Sequence, residues 1–290
     1  MRFAISTAFT DPAEVLHLAR AADALGYDAL SIPDHVVNLE TLTTPYPYTP
    51  DGERRWPPFT PWLDPWVTIG AMAAITERLR FFTGVYVLPM RNPLVVAKAV
   101  GTAAVLSGNR VALGIGVGWC EEEFELMEQP FARRGSRTDE MLELLASLWQ
   151  PGWVSHQGTH YDVPRLEMSP VPTAPVPIFV GGTSDVALRR AARHDGWISD
   201  YLDIAEAARV RARLDELRAE NGRAELPFSM VASVTDAVVA DDFRRAEDAG
   251  VTDVLTMPWV YYSGFDATLD QKVDGMTRFH EDVIAPLADA

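Results

Sequence analysis

One phrase recurs three times along this chain, and it limits the folds open to it. Ala22-Asp23-Ala24-Leu25-Gly26-Tyr27-Asp28-Ala29-Leu30 is the first copy, and Ala191-Ala192-Arg193-His194-Asp195-Gly196-Trp197-Ile198 is the second. Ala246-Glu247-Asp248-Ala249-Gly250-Val251-Thr252-Asp253-Val254-Leu255 is the third. Each reads as a helix end, a glycine just past it, and then a buried strand. Apolar runs and helical patterns alternate over the whole chain, with strands expected at 3–6, 29–33, 79–88, 111–116, 177–180, 197–199, 228–234 and 253–257. Helices are expected at 11–25, with Asp11 as its cap, and at 65–75, 93–106, 138–149, 184–194, 204–221, 241–249 and 271–287. About eight repeated β-α units favour a (β/α)₈ TIM barrel over an open doubly wound sheet. Gly114, Gly116 and Gly118 do not make a dinucleotide fingerprint, which would need its third glycine at Trp119.

In such a barrel the ligand sits where the strands end. Two runs stop abruptly there: Ser31-Ile32-Pro33-Asp34-His35 and Leu113-Gly114-Ile115-Gly116-Val117-Gly118-Trp119. Asp34 and His35 therefore fall at the mouth, and an imidazole can give or take a proton near neutrality. Gly181-Gly182-Thr183-Ser184 follows the fifth strand, where close backbone approach and two hydroxyls suit a phosphate. Gly84, inside the third strand, marks a bulge or a ligand pressed against the backbone.

Two segments break the alternation. Residues 38–64 hold six prolines and five aromatics (Tyr46, Tyr48, Trp56, Phe59 and Trp62) and follow the second strand. That aromatic density predicts a packed lid over the mouth rather than a disordered insertion. Residues 154–176 read as a short hairpin and an extended connection, so the whole of 1–290 is expected to be one domain.

Composition narrows the function by exclusion. The formal net charge is −16, which disfavours a nucleic-acid surface. No apolar run approaches a membrane span, and the first residues start a strand at once, so a cytoplasmic protein without membrane contact is expected. The six histidines are scattered; His156 and His160 have metal-like spacing but no clear third ligand, so no metal is expected. Cys120, the single cysteine, has no evident base beside it.

Five stretches together resemble the bacterial luciferase-like family of flavin- and deazaflavin-dependent oxidoreductases. They are Pro33-Asp34-His35, Gly84-Val85-Tyr86-Val87-Leu88-Pro89, Arg91-Asn92-Pro93, Gly114-Ile115-Gly116-Val117-Gly118-Trp119 and Gly181-Gly182-Thr183, in the family's order. The 45–52 insertion and Gly118-Trp119-Cys120-Glu121-Glu122-Glu123-Phe124 resemble the subgroup that uses coenzyme F420. The resemblance implies a barrel holding a deazaflavin, or alternatively FMN, at its mouth, with a cis peptide at Gly84-Val85. It implies cofactor contacts at Gly84, Val85, Gly116, Gly118, Gly181, Gly182 and Thr183. Substrate contacts are expected at Trp56, Trp62, Tyr86 and Trp119, and catalysis at His35 with Asp34. Sugar-phosphate dehydrogenases of the family carry glutamate where this chain has Trp119, which points instead to an apolar or aromatic substrate wall. The expected activity is hydride transfer between F420 and a small organic substrate, in a homodimer. An FMN-dependent monooxygenase is the nearest rival, and a non-catalytic flavin-binding protein is the rival of another class.

Overall fold

The structure, a computed structural model, describes residues 1–288. Eight strands form its centre: β1 (Arg2–Ser6), β2 (Ala29–Ile32), β3 (Arg80–Thr83), β4 (Val111–Gly116), β5 (Ile178–Gly181), β6 (Gly196–Leu202), β7 (Ser229–Val234) and β8 (Asp253–Thr256). All pair in parallel, in the order β3-β2-β1-β8-β7-β6-β5-β4. Phe81 and Phe82 then pair with Val111 and Ala112, which closes the sheet into a barrel. The main helices around it are α1 (Val15–Leu25), α2 (Pro65–Ala73), α3 (Pro93–Leu106), α4 (Arg134–Leu148), α5 (Asp185–Ala191), α6 (Ile204–Glu220), α7 (Ala240–Asp248) and α8 (Leu269–Phe279).

Alternation along the strands sorts the side chains into two cores. Ala4, Ala29, Phe82, Ala112, Ile198 and Val231 fill the barrel interior, with Phe179, Leu255 and Val85 against them. Their neighbours in sequence, such as Phe3, Ile5, Leu30, Phe81 and Leu113, pack under the helices. Phe3 meets Phe243 of α7 and Phe279 of α8 edge-on, at 5.6 and 5.7 Å between centroids, which ties the last two helices to the first strand.

Most helix starts follow from their caps. Asp64 accepts from Trp66 N and Val67 N ahead of α2, Asn92 from Leu94 N ahead of α3, and Asp203 from Glu206 N ahead of α6. Each of the first two is followed by proline, which needs no amide partner in the first turn. The start of α1 differs from the sequence expectation. Asp11 bonds Ala13 N in a turn, and the helix begins four residues later without a side-chain cap. Gly26 and Gly250 take the left-handed conformation expected after a helix, at φ 84° and 96°, but Gly196 instead opens β6.

The third strand is also shorter than its apolar run. It stops at Thr83, and Gly84–Val85 is a cis peptide, as the resemblance implied. Tyr86–Val87 then pairs separately with Ile115–Gly116 of β4. The 154–176 segment does form an antiparallel hairpin, Trp153–Gln157 with Asp162–Glu167. The Glu140 carboxylate on α4 holds its turn by accepting from Thr159 N, His160 N and Tyr161 N.

Candidate active site

The residues expected at the mouth hang from the C-terminal ends of strands or from the loops that follow them. His35 comes just after β2. Its Nδ1 lies 2.8 Å from Glu123 Oε2, and Glu123 is almost fully buried on the short helix Glu121–Leu126 after β4. The other oxygen, Oε1, accepts from Val36 N at 2.9 Å and from Val37 N at 3.4 Å. Burial alone would raise the carboxyl's pKa, but the imidazole and these two amides outweigh it and hold Glu123 below the usual carboxylate range. An ionised carboxylate can only accept, so Nδ1 donates to Glu123 and Nε2 is the ring nitrogen turned away from it. Nε2 has no bonded partner among the described residues.

Asp34 points elsewhere. Its two oxygens form a fork with Arg91, at 2.6 Å to Nη2 and 2.7 Å to Nη1, and Oδ2 also accepts from Val87 N at 2.9 Å. The imidazole's partner is thus Glu123, while Asp34 ties the β2 end to the chain that follows the cis peptide.

The 38–64 segment has no helix or strand of its own, yet it is packed. Its Trp56 lies 5.0 Å and its Trp62 4.8 Å from the His35 ring, centroid to centroid. Trp119, from the turn after β4, stands 6.0 Å from the same imidazole and 5.1 Å from Tyr46. Tyr46 and Trp56 meet at 5.3 Å, and Trp56 and Trp62 at 5.2 Å. Three aromatic rings therefore meet one imidazole, and Tyr46 packs against two of the three. Polar ties anchor this lid. Glu122 Oε1 accepts from Thr43 N, Thr43 Oγ1 and Thr44 N, and Arg55 donates to Asp200 near the end of β6 and to Tyr48 O. Burial notwithstanding, these threonine donors hold the Glu122 carboxyl far below its ordinary range.

The glycines have different tasks. A Cβ on Gly116 would fall 2.7 Å from Val85 Cγ2, and one on Gly181 would fall 2.9 Å from Val85 Cγ1. Their missing side chains make room for Val85, which tops the interior core half-buried. Gly118 is fixed by packing, since a Cβ there would meet Phe124 and Val87 at 2.6 Å. Gly182 has φ 111°, and its carbonyl accepts from Trp197 Nε1 at 2.8 Å. Thr183 beside it is exposed.

One expected site residue does not belong to this group. Tyr86 is buried against Trp66 of α2, and the Arg91 guanidinium lies 4.3 Å from its ring centroid. Burial, more than any neighbour, pushes its hydroxyl up to about 12. Tyr86 thus lies against α2 and Arg91 and has no ring contact with His35 or the tryptophans of the 38–64 segment among the described residues. Cys120 is buried, and burial pushes its thiol up to about 12, away from the thiolate form. Among the described residues no three ligating side chains converge on a metal position; His156 lies against Glu140, and His160 against Ser136. Glu123, Glu122 and Tyr46 do not stand out as site residues in the sequence. The available signals were their place in the 45–52 and Gly118–Phe124 stretches that carry the subgroup resemblance, and the position of Glu121–Glu123 directly after a barrel strand and its turn.

The mouth of the parallel barrel thus holds an imidazole–carboxylate pair packed under aromatic rings. The chain belongs to the luciferase-like monooxygenase family, whose profile matches residues 1–274. It is 42% identical over 287 residues to an uncharacterized protein of Mycobacterium tuberculosis, covering 98% of this chain and 99% of that one. It is 32% identical over 192 residues to the F420-dependent glucose-6-phosphate dehydrogenase of Microbacterium testaceum, covering 65% of this chain and 52% of that one. The F420-dependent tetrahydromethanopterin reductase of Methanopyrus kandleri shares the fold, with a TM-score of 0.78, 15% identity and 99% of both chains aligned.

Proposed function

We propose that this protein transfers a hydride between a deazaflavin, coenzyme F420, and a small, partly apolar organic substrate, with His35 moving the accompanying proton. The observation that carries the reading is the His35–Glu123 pair, set at the barrel mouth and closed in by Tyr46, Trp56, Trp62 and Trp119. The residues present fit such a cofactor. Val85 offers an apolar floor where Gly116 and Gly181 leave space, and the open Gly182–Thr183 backbone suits a phosphate. When bound, a deazaflavin supplies or accepts the hydride. Glu123 holds Nδ1–H, so Nε2 of His35 is the atom that takes or returns the proton. The aromatic lid keeps water from the reacting centre. The F420-dependent relatives support the cofactor, while the family's description as monooxygenases keeps FMN as the second reading. No helix among the described residues is long and apolar enough to cross a membrane. We read the protein as a cytoplasmic homodimer; α2 has no charged residue and α3 only Lys98, yet Val67, Val95 and Leu106 are exposed on them.

Titration by fluorescence quenching tests the cofactor. F420 is expected to bind more tightly than FMN; micromolar FMN binding without F420 binding would make the flavin monooxygenase the better reading. A second test addresses the loop. Gly182→Val places a branched side chain at φ 111°, with its Cβ 3.1 Å from that of Ala187. The loop must move, and each charge-assisted bond to a phosphate is worth about 1.5–3 kcal/mol. F420 affinity should fall at least about tenfold, with the melting temperature recorded on the same sample. Unchanged affinity in the folded variant would remove the loop from the cofactor site.

A further inference from the structure

Besides His35 Nε2, the aromatic box contains a fully buried side-chain donor with no partner among the described residues. Trp56 is 8% exposed, and its indole Nε1 is buried with no hydrogen-bond partner. Buried donors are almost always paired, so an orphan at a site calls for the group that completes it. Its surroundings specify that group. The rings of His35, Tyr46 and Trp62 all lie within 5.3 Å of the Trp56 ring. The nearby cations are all engaged. Arg55 pairs with Asp200, Arg91 with Asp34, and Arg54 donates to Asn38 and to Leu39 O. A phosphorylated substrate would find no free counter-charge at the box, whereas an uncharged ring would find apolar faces on several sides.

We infer that Trp56 Nε1 is a specificity-determining donor, which grips the oxygen of an uncharged, ring-bearing ketone or alcohol beside His35. The inference rests on the mouth being the substrate site and names the class of substrate it takes. A closed lid without an acceptor leaves the indole N–H unpaired, so closure is favoured by a ligand that carries oxygen and disfavoured by a hydrocarbon of the same shape.

Binding tests it without turnover. The chain has eight tryptophans, so the indole region of a ¹H–¹⁵N spectrum should show eight signals, and Trp56→Phe identifies one by its loss. Acetophenone should move that signal, and ethylbenzene and glucose 6-phosphate should not. The wild-type preference for acetophenone over ethylbenzene should shrink by about tenfold in Trp56→Phe. If that variant does not fold, the wild-type tryptophan signals moved by acetophenone but not by ethylbenzene decide the matter, and none moving overturns the inference. Equal preference in both proteins, no binding of acetophenone, or tighter binding of glucose 6-phosphate at the box also overturns it. Acetophenone binding through Trp56 without any F420-linked turnover would leave this inference standing and remove the hydride-transfer reading instead.

Discussion

Replacing His35 by alanine should leave the barrel folded and lower turnover by about 10²–10⁴-fold, the usual cost of removing a general acid or base. The imidazole packs against three indole rings and pairs with the buried Glu123 carboxylate, so its loss should also lower the melting temperature, and the rate per folded molecule is the deciding quantity. A histidine that only packs would give a lower melting temperature with near-normal activity per folded molecule. Both quantities should be measured on one preparation. Glu123→Gln sharpens the test. The glutamine oxygen can still accept from Val36 N, but its amide group then points N–H at Nδ1 and forces the proton onto Nε2. The ring stays in place in the wrong tautomer, and the rate should fall with an altered pH profile while F420 affinity holds. The stability profile should change too. Glu123 has a depressed pKa in the folded state, so its stabilisation is present above the ordinary carboxylate range and is lost as pH falls through the folded value. The glutamine variant should lack that acid-sensitive increment. A normal rate in Glu123→Gln would show that the pair serves only to anchor the loop.

The parts of this molecule legible in sequence are those fixed by local chemistry. Pro93–Leu106 and Val111–Gly116 fall where expected, because a proline start, the Ser107-Gly108-Asn109 stop and an unbroken apolar run are all short-range signals. The packing of residues 38–64 was legible from their aromatics, which have no use in a disordered loop. What was missed depends on contacts between distant residues. Glu123 carries no role of its own in the Gly118–Phe124 stretch until the barrel brings it to an imidazole 88 positions away. Asp34 reads as the partner of its neighbour His35 until Arg91 arrives from across the cis peptide. The expected strand over 79–88 is in fact two, Arg80–Thr83 and Tyr86–Val87, because an apolar run carries no mark of where pairing is interrupted. The same long-range character explains why His35 and Glu123 become convincing only as a pair.

Asp34 separates a structural role from a chemical one by the size of its effect on stability. Its side chain is 1% exposed, that of Arg91 12%, and the two share a bidentate pair that also satisfies Val87 N. Removing one partner of a buried pair leaves an uncompensated charge and typically costs about 3–5 kcal/mol. For domains of 150–250 residues each kcal/mol lowers the melting temperature by about 2–4 °C, so Asp34→Ala should lose on the order of 10 °C. Asp34→Asn keeps an acceptor for Val87 N but no charge for Arg91, and should fall between the two. The double variant Asp34→Ala with Arg91→Met removes both charges and should recover part of the loss, because no orphan ion remains. That recovery is the signature of a pair that holds the β2 end against the strand beyond the cis peptide, and so places His35. If Asp34 instead took part in proton transfer, Asp34→Ala would melt near the wild-type temperature and lose turnover, and the double variant would regain nothing. Thermal melts of the three variants, read beside F420-linked activity, decide between the two roles.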